Sequence, residues 1–293
     1  LKLPFVDSES IKRRKFKVVV DAVNSTGGIA IPKLLDRLGI ETIKLYCDPT
    51  GEFPHNPEPL KENLSDLSNL VVNEAADLGI VVDPDVDRLA FVSEDGEVFG
   101  EEYTLVACAD YYLKHNPGNT VSNLSSSRAL RDVSDLNGCN HFFSAVGEVN
   151  VVELMKKKNA VIGGEGNGGI ILPDLHYGRD ALVGIALFLS HLANLNISCS
   201  KLRSKYPSYF MSKDKIMLDK TVHVDKIINE ISEKYSEEEI NNEDGLKIDF
   251  ENSWVQLRKS NTEPIIRVYS EAKSQEEANI LSSKFIDEIN MIK

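Results

Sequence analysis

The chain has 293 residues, 27% charged and 42% hydrophobic, the profile of a globular protein with room for two or three domains. Its formal net charge of −13 excludes a nucleic-acid binder, which needs a basic face, so an anionic ligand must be held by local Arg, Lys and backbone N–H groups. The apolar stretch at 181–195 is too short to span a bilayer; Cys47, Cys108, Cys139 and Cys199 form no CxxC pair, which excludes that kind of zinc site and suits a reducing, cytoplasmic setting.

The opening residues, Leu1-Lys2-Leu3-Pro4-Phe5-Val6, read as the tail of something preceding, and residues 1–14 as the remnant of another domain. From residue 16 the pattern is strand (16–20), turn (24–28), and an amphipathic helix (29–38) closed by Gly39, then a strand at 40–46. A proline-rich stretch at 51–59 precedes helical patterns up to 76, a strand at 78–82, and a strand at 89–92 that enters a hairpin turn at 94–97. This first α/β domain covers 15–100.

A second α/β domain at 101–208 repeats the alternation. It reads as helix 102–114, strand 120–123, helix 128–136, strand 141–144, helix 148–158, strand 160–162, a glycine loop and a long helix at 180–195. Strands alternating with helices imply βαβ units and a largely parallel sheet. The rhythm changes near 206–210. Residues 209–293 group several strands between two helices, at 224–235 and 275–289, which predicts a small α+β domain; the charged stretch 236–244 reads as a solvated loop. The predicted fold is therefore two consecutive mixed or parallel α/β sandwich domains followed by a small α+β C-terminal domain.

The densest chemical signal is Val82-Asp83-Pro84-Asp85-Val86-Asp87-Arg88. Three carboxylates at alternate positions repel one another unless a cation sits among them, and oxygen ligands at this density suit a hard divalent ion, Mg²⁺ foremost. The apolar run before them places the cluster at a strand's C-terminal end, where open α/β sheets bind ligands. Asp83, Asp85, Asp87 and Glu94 also match positions one, three, five and twelve of a calcium-binding EF-hand loop, but Arg88 stands where that loop needs Gly. A merely solvated acidic turn is the plainer alternative; Arg88 argues against it, since a guanidinium beside such a cluster is suited to gripping phosphate.

Three further segments carry polar chemistry. In Gly163-Gly164-Glu165-Gly166-Asn167-Gly168-Gly169 the glycines allow close backbone approach, and Glu165 with Asn167 offers an acceptor and an amide suited to vicinal sugar hydroxyls. Alone, the loop reads equally as a turn. In Arg258-Lys259-Ser260-Asn261-Thr262-Glu263-Pro264, with Arg267 beyond, an Arg, two hydroxyls and an amide make a phosphate cradle or a polar hairpin loop. In Tyr177-Gly178-Arg179-Asp180, Asp180 reads as a helix cap, and Arg179 as reaching either a substrate or a carboxylate.

Together these motifs resemble the α-D-phosphohexomutase superfamily along essentially the whole chain. DPDVDR is similar to its metal loop, GGEGNGG to its sugar loop and RKSNTEP to its C-terminal phosphate loop; Gly51-Glu52-Phe53-Pro54-His55-Asn56-Pro57-Glu58-Pro59 and Ser144-Ala145-Val146-Gly147-Glu148 resemble two further loops. The resemblance implies interconversion of hexose 6-phosphate and hexose 1-phosphate through a bisphosphorylated sugar. Asp83, Asp85 and Asp87 would hold Mg²⁺, with Arg88 in the cleft beside the transferring phosphate. Glu165 and Asn167 would read the sugar, and Arg258, Ser260, Asn261, Thr262 and Arg267 would bind the other phosphate. The family's Ser-His-Asn-Pro nucleophile loop is absent: Pro54 precedes His55 and Lys114 precedes His115. The expectation is a truncated mutase lacking its N-terminal phosphoserine domain and inactive alone. Asn167 and Gly169 stand where many members carry Ser and His, a form that resembles phosphoglucosamine mutases, with phosphomannomutase or phosphoglucomutase specificity as the alternative. A non-catalytic sugar-phosphate-binding protein is the reading from another class.

Overall fold

The computed structural model describes residues 3–218, 224–260 and 264–292. Residues up to 143 together with 147–206 form one compact unit, and 144–146 with 207 onward form another.

In the first unit the order is α1 (Ser8–Arg14), β1 (Lys17–Asp21), α2 (Gly27–Arg37), β2 (Glu41–Leu45), a single 3-10 turn (Lys61–Asn63), α3 (Ser65–Asn73), β3 (Leu78–Val82) and β4 (Leu89–Ser93). There follow α4 (Glu101–Leu113), β5 (Asn119–Asn123), α5 (Ala129–Leu136), β6 (His141–Ser144), α6 (Glu148–Lys158), β7 (Ala160–Glu165), β8 (Gly169–Leu172), β9 (His176–Arg179), α7 (Ala181–Leu195) and α8 (Cys199–Arg203). Two sheets result, with strand orders β2-β1-β3-β4 and β6-β5-β7-β8-β9. Both are mixed. β1 runs parallel to β2 and β3 while β4 is antiparallel to β3; β5 is parallel to β7, and β8 and β9 close the second sheet antiparallel.

The all-apolar run Leu78–Val82 is buried at every position because β3 has a strand on each side and helical cover. Val19, Val81 and Val92 pack with Leu67 and Val71 of α3, and Val121 and Ile171 with Val151 and Met155 of α6. Phe91 of β4 stacks on Phe188 of α7 at 3.7 Å between ring centroids, which ties the first sheet to the helix that follows the second.

Three segments differ from the sequence expectation. Residues 8–14, read from the sequence as part of a remnant with no element of its own, form α1, capped by Asp7, with Ile11 fully buried. The glycine loop is a β-hairpin whose second arm is β8, and β9 adds a further strand before α7. The segment 236–244 contains β11, described next, which pairs through its backbone with the strand that follows it and turns Ile240 onto the core between its two polar neighbours.

The second unit comprises β10 (Phe210–Met217), α9 (Val224–Lys234), β11 (Glu239–Asn241), β12 (Leu246–Asp249), β13 (Trp254–Lys259), β14 (Ile265–Ala272) and α10 (Gln275–Ile292). Its sheet is antiparallel throughout, in the order β10-β14-β13-β12-β11. Alternate residues (Ile248, Val255, Leu257, Ile266, Val268) turn one face onto Ile227 and Ile231 of α9 and Phe285 and Ile289 of α10. Among the described residues no helix is long and apolar enough to cross a membrane.

Candidate functional site

β3 delivers the acidic loop to the sheet's C-terminal end. One oxygen from each of Asp83, Asp85 and Asp87 lies within 4.8 Å of the others. Asp83 is buried, Asp87 half-buried and Asp85 exposed. The loop curls around Asp83, whose Oδ1 accepts hydrogen bonds from the backbone N–H groups of Asp87 and Arg88, both at 3.0 Å. The turn puts Val86 at φ 63°, in the left-handed region that a β-branched side chain disfavours. Two outside contacts hold it there: Thr26 Oγ1 donates to the Pro84 carbonyl at 3.1 Å, and the Ala181 N–H donates to the Val86 carbonyl at 3.1 Å.

The electrostatics ask for a cation. Burial pushes the Asp83 carboxyl up to about 7, against the opposing pull of its backbone donor Arg88, with the Asp87 and Asp85 charges adding to the rise. Asp87 Oδ1 is buried and has no hydrogen-bond donor among the described residues. Three hard oxygen donors, one of them orphaned, fit a divalent cation such as Mg²⁺. An EF-hand is excluded, because both flanks of the loop are strands. Arg88 lies along the rim, its Nε 3.6 Å from Asp83 and 4.0 Å from Asp87, with Nη1 3.3 Å from Glu58 in the proline-rich stretch.

Glu165 ends β7. Its Oε1 accepts from Asn123 Nδ2 at 2.7 Å and from the Gly147 N–H at 3.0 Å, and its Oε2 lies 3.5 Å from Arg179 Nη1. It is therefore a buried, fully engaged carboxylate. Asn167, half-buried at the hairpin tip, folds its Oδ1 back onto the Gly169 N–H at 3.1 Å. The glycines beside it make room for the protein itself: a Cβ on Gly166 would sit 2.0 Å from the Glu102 carboxylate, and one on Gly168 (φ +82°) 2.0 Å from the Leu89 carbonyl oxygen. The hairpin tip thus packs directly on the strand that follows the acidic loop.

Asp180 caps α7, its Oδ1 accepting from the N–H groups of Leu182 (2.7 Å) and Val183 (3.1 Å). Arg179 points to carboxylates: it pairs closely with Asp87 Oδ2, lies 3.2 Å from Glu148 Oε2 and reaches Glu165. The acidic loop and the glycine-rich hairpin are thereby brought together through a residue that the sequence left open. Glu58 and Glu148 also join the site, from the two further segments whose sequence resembles family loops, whereas Asn123 joins it without any sequence signal, its partner Glu165 lying 42 residues away. Both His-Asn-Pro histidines have structural partners: His55 Nε2 is 3.0 Å from Asp21 Oδ2, and His115 Nδ1 is 2.9 Å from the Tyr111 carbonyl.

In the second unit, Arg258 of β13 stands directly opposite Arg267 of β14, which in turn stands opposite Lys215 of β10. Three cations in one cross-strand row repel one another and favour an anion nearby. Arg258 Nε is paired with Asp244 at 2.8 Å, and Arg267 Nη1 donates to the Tyr269 hydroxyl at 3.4 Å. The Ser260 N–H donates to the Ile265 carbonyl at 3.1 Å, closing the mouth of the loop. Asn261 and Thr262 lie outside the described residues.

Comparison with known proteins accounts for the order of these motifs. Family models described as phosphoglucomutase/phosphomannomutase α/β/α domain II, α/β/α domain III and C-terminal domain match residues 2–96, 100–209 and 216–288. A phosphoglucomutase/phosphomannomutase of Thermococcus kodakarensis is 38% identical over 277 residues, which cover 93% of this chain and 60% of that one. A phosphoglucosamine/phosphogalactosamine mutase of Sulfurisphaera tokodaii is 33% identical over 286 residues, 95% of this chain and 63% of that one. The crystal structure of a phosphoglucomutase/phosphomannomutase family protein from Burkholderia thailandensis superposes with a TM-score of 0.83 at 26% identity, covering 97% of this chain and 63% of that one. The chain thus spans somewhat under two thirds of the length of these relatives, and it belongs to the phosphoglucomutase/phosphomannomutase family, the α-D-phosphohexomutases.

Proposed function

We propose that this chain carries the metal-, sugar- and phosphate-binding parts of a phosphohexomutase that interconverts hexose 6-phosphate and hexose 1-phosphate through a bisphosphorylated sugar. The observation that supports it most is the meeting of Asp83, Asp85 and Asp87 within 4.8 Å beside Arg88, with Asp87 Oδ1 left unsatisfied. Held by these three carboxylates, Mg²⁺ supplies neutralisation of charge at the phosphoryl oxygens. Arg88, fixed between Asp83 and Glu58, presents its remaining donors to the transferring phosphate. Asn167 offers its amide to a sugar hydroxyl at the hairpin tip, and the buried Glu165 accepts a hydroxyl donor by exchanging one of its present partners. Arg258 and Arg267, with Ser260, Asn261 and Thr262, hold the phosphate that is not transferring. Positioning and charge neutralisation do most of the work in such transfers.

The phosphoryl-carrying serine comes from outside these 293 residues, because no Ser-His-Asn-Pro sequence occurs among them. Glucosamine phosphate is the preferred substrate, in line with the names of several relatives; mannose and glucose phosphates follow. The test is a mutase assay on this chain with glucosamine 6-phosphate, Mg²⁺ and a hexose 1,6-bisphosphate primer, together with thermal melts. The expected result is stabilisation by the phosphosugar and Mg²⁺ without turnover. Sustained turnover would refute an external serine, and absence of any stabilisation would refute the binding site.

A further inference from the structure

We infer that Arg179 is a positioning residue: it fixes the Asp87 carboxylate so that one oxygen stays available to a divalent cation, and ties that posture to the sugar-loop carboxylate Glu165. The inference rests on the metal reading above and adds a residue to it. Arg179 is the last residue of β9, and its side chain is only 15% exposed. Its guanidinium lies among three carboxylates from three separate segments: Asp87 Oδ2 in the acidic loop, Glu148 Oε2 at the start of α6 (3.2 Å) and Glu165 Oε2 at the end of β7 (3.5 Å). Its own N–H donates to Glu148 Oε1 at 3.2 Å, so backbone and side chain grip the same partner. A planar fork can serve several carboxylates in fixed directions, which a lysine cannot.

The two oxygens of Asp87 are treated differently. Oδ2 is held by Arg179, while Oδ1 is buried without a hydrogen-bond donor among the described residues. With one oxygen clamped, the carboxylate plane is set, and the other oxygen, without a donor of its own, is left for a cation. An independent feature shows that space is reserved for this side chain. A Cβ on Gly169, in the buried strand β8, would lie 2.3 Å from Arg179 Cδ, so the glycine clears a lane for the aliphatic stem. The acidic loop is also joined to the same region through its backbone, by the hydrogen bond from Ala181 to the Val86 carbonyl.

Charge and position make opposite demands, which gives the test its sign. A cation beside the triad disfavours a second cation, so if Arg179 acted only through its charge, removing it would tighten metal binding. If it acts by orienting Asp87, removing it weakens binding, and removing an outer-shell partner typically costs about 10–100-fold in affinity. The experiment is titration of the chain with Mn²⁺, followed by calorimetry and by the spin-resonance signal of the free ion, for wild type, Arg179→Met, Arg179→Lys and Gly169→Ala. Far-UV circular dichroism and thermal melts verify that each variant is folded. Gly169→Ala keeps the charge and displaces the stem, so it tests position even if an Arg179 variant fails to fold.

The expected result is weakening by about tenfold or more in every folded variant, the charge-conserving ones included. Wild-type affinity in both Arg179→Lys and Gly169→Ala, or tighter binding in Arg179→Met, would overturn the inference. Failure of the underlying metal reading looks different: wild type and Asp85→Asn would then give the same trace, with no saturable Mn²⁺ uptake in either, and the inference would fall with it.

Discussion

Replacing Gly168 with alanine tests the packing of the hairpin tip on β4. The residue has φ +82°, and an added Cβ would lie 2.0 Å from the Leu89 carbonyl oxygen and 2.9 Å from both its carbonyl carbon and its nitrogen. The left-handed backbone costs an L-residue about 1–2 kcal/mol. The contact is worse than the conformation. Relieving an overlap of about 1 Å against main chain requires β4 or the hairpin to shift, and forced overpacking of this kind costs roughly 1–3 kcal/mol. Alanine recovers about 0.4–1 kcal/mol by restricting the unfolded chain. The net expectation is a loss of about 2–4 kcal/mol, or roughly 5–12 °C in melting temperature for a unit of this size. Gly138→Ala is the control: it has φ +68° with nothing within 4 Å of the added Cβ, so only the backbone cost applies and the loss is about 1 kcal/mol or less. Both variants are followed by far-UV circular dichroism, with the fluorescence of Trp254, the sole tryptophan, marking the second unit separately. If Gly168→Ala and Gly138→Ala melt alike, the close approach of the hairpin to β4 is wrong.

Two other outcomes follow from the acidic loop. Burial raises the Asp83 carboxyl to about 7, so between its unfolded value of 3.8 and about 7 the folded protein holds a proton that the unfolded chain has lost. Metal-free stability from this group is therefore greatest below pH ~4 and lost as pH rises to ~7, whereas Mn²⁺ affinity rises over the upper part of that range and levels off above it. Calorimetric titration at pH 6 and pH 8 should show this rise in wild type and lose most of it in Asp83→Asn. Val86→Gly, measured by urea unfolding, should leave stability within about 0.5 kcal/mol of wild type or raise it, because relief of the left-handed valine offsets the entropy of the new glycine. A loss above about 2 kcal/mol, the scale of a lost core side chain, would show that the valine is held by packing rather than strained.

Much of the architecture was readable where one physical cause dominates. Leu78-Gly79-Ile80-Val81-Val82 is apolar because it is flanked and covered, and the carboxylates follow at its end because that is where the chain leaves the sheet. α1 escaped notice because seven residues with one buried side chain, Ile11, show no helical period. β9 and β11 are short, four and three residues, with only Ile240 of β11 turned onto a core; a neighbouring strand supplies the hydrogen bonds that make them strands. The site divides in the same way. Asp83, Asp85 and Asp87 are neighbours along the chain and could be recognised as a group. Glu165 was read as open to a sugar, whereas Asn123, Gly147 and Arg179 converge on it from positions 14 to 42 residues away, a convergence no local pattern encodes.

The glycines on either side of Asn167 also limit how this protein can be changed. At 166 and 168 any side chain meets atoms already in place, from Glu102 on one side and Leu89 on the other. Randomising the hairpin tip therefore explores much less than its length suggests. Position 167 already carries a side chain, whose replacement gives up the bond to the Gly169 N–H, while its neighbours open only when Glu102 or the start of β4 changes with them. Natural drift faces the same barrier, so change at the tip is reached most directly through residue 167, at the cost of its bond to the Gly169 N–H.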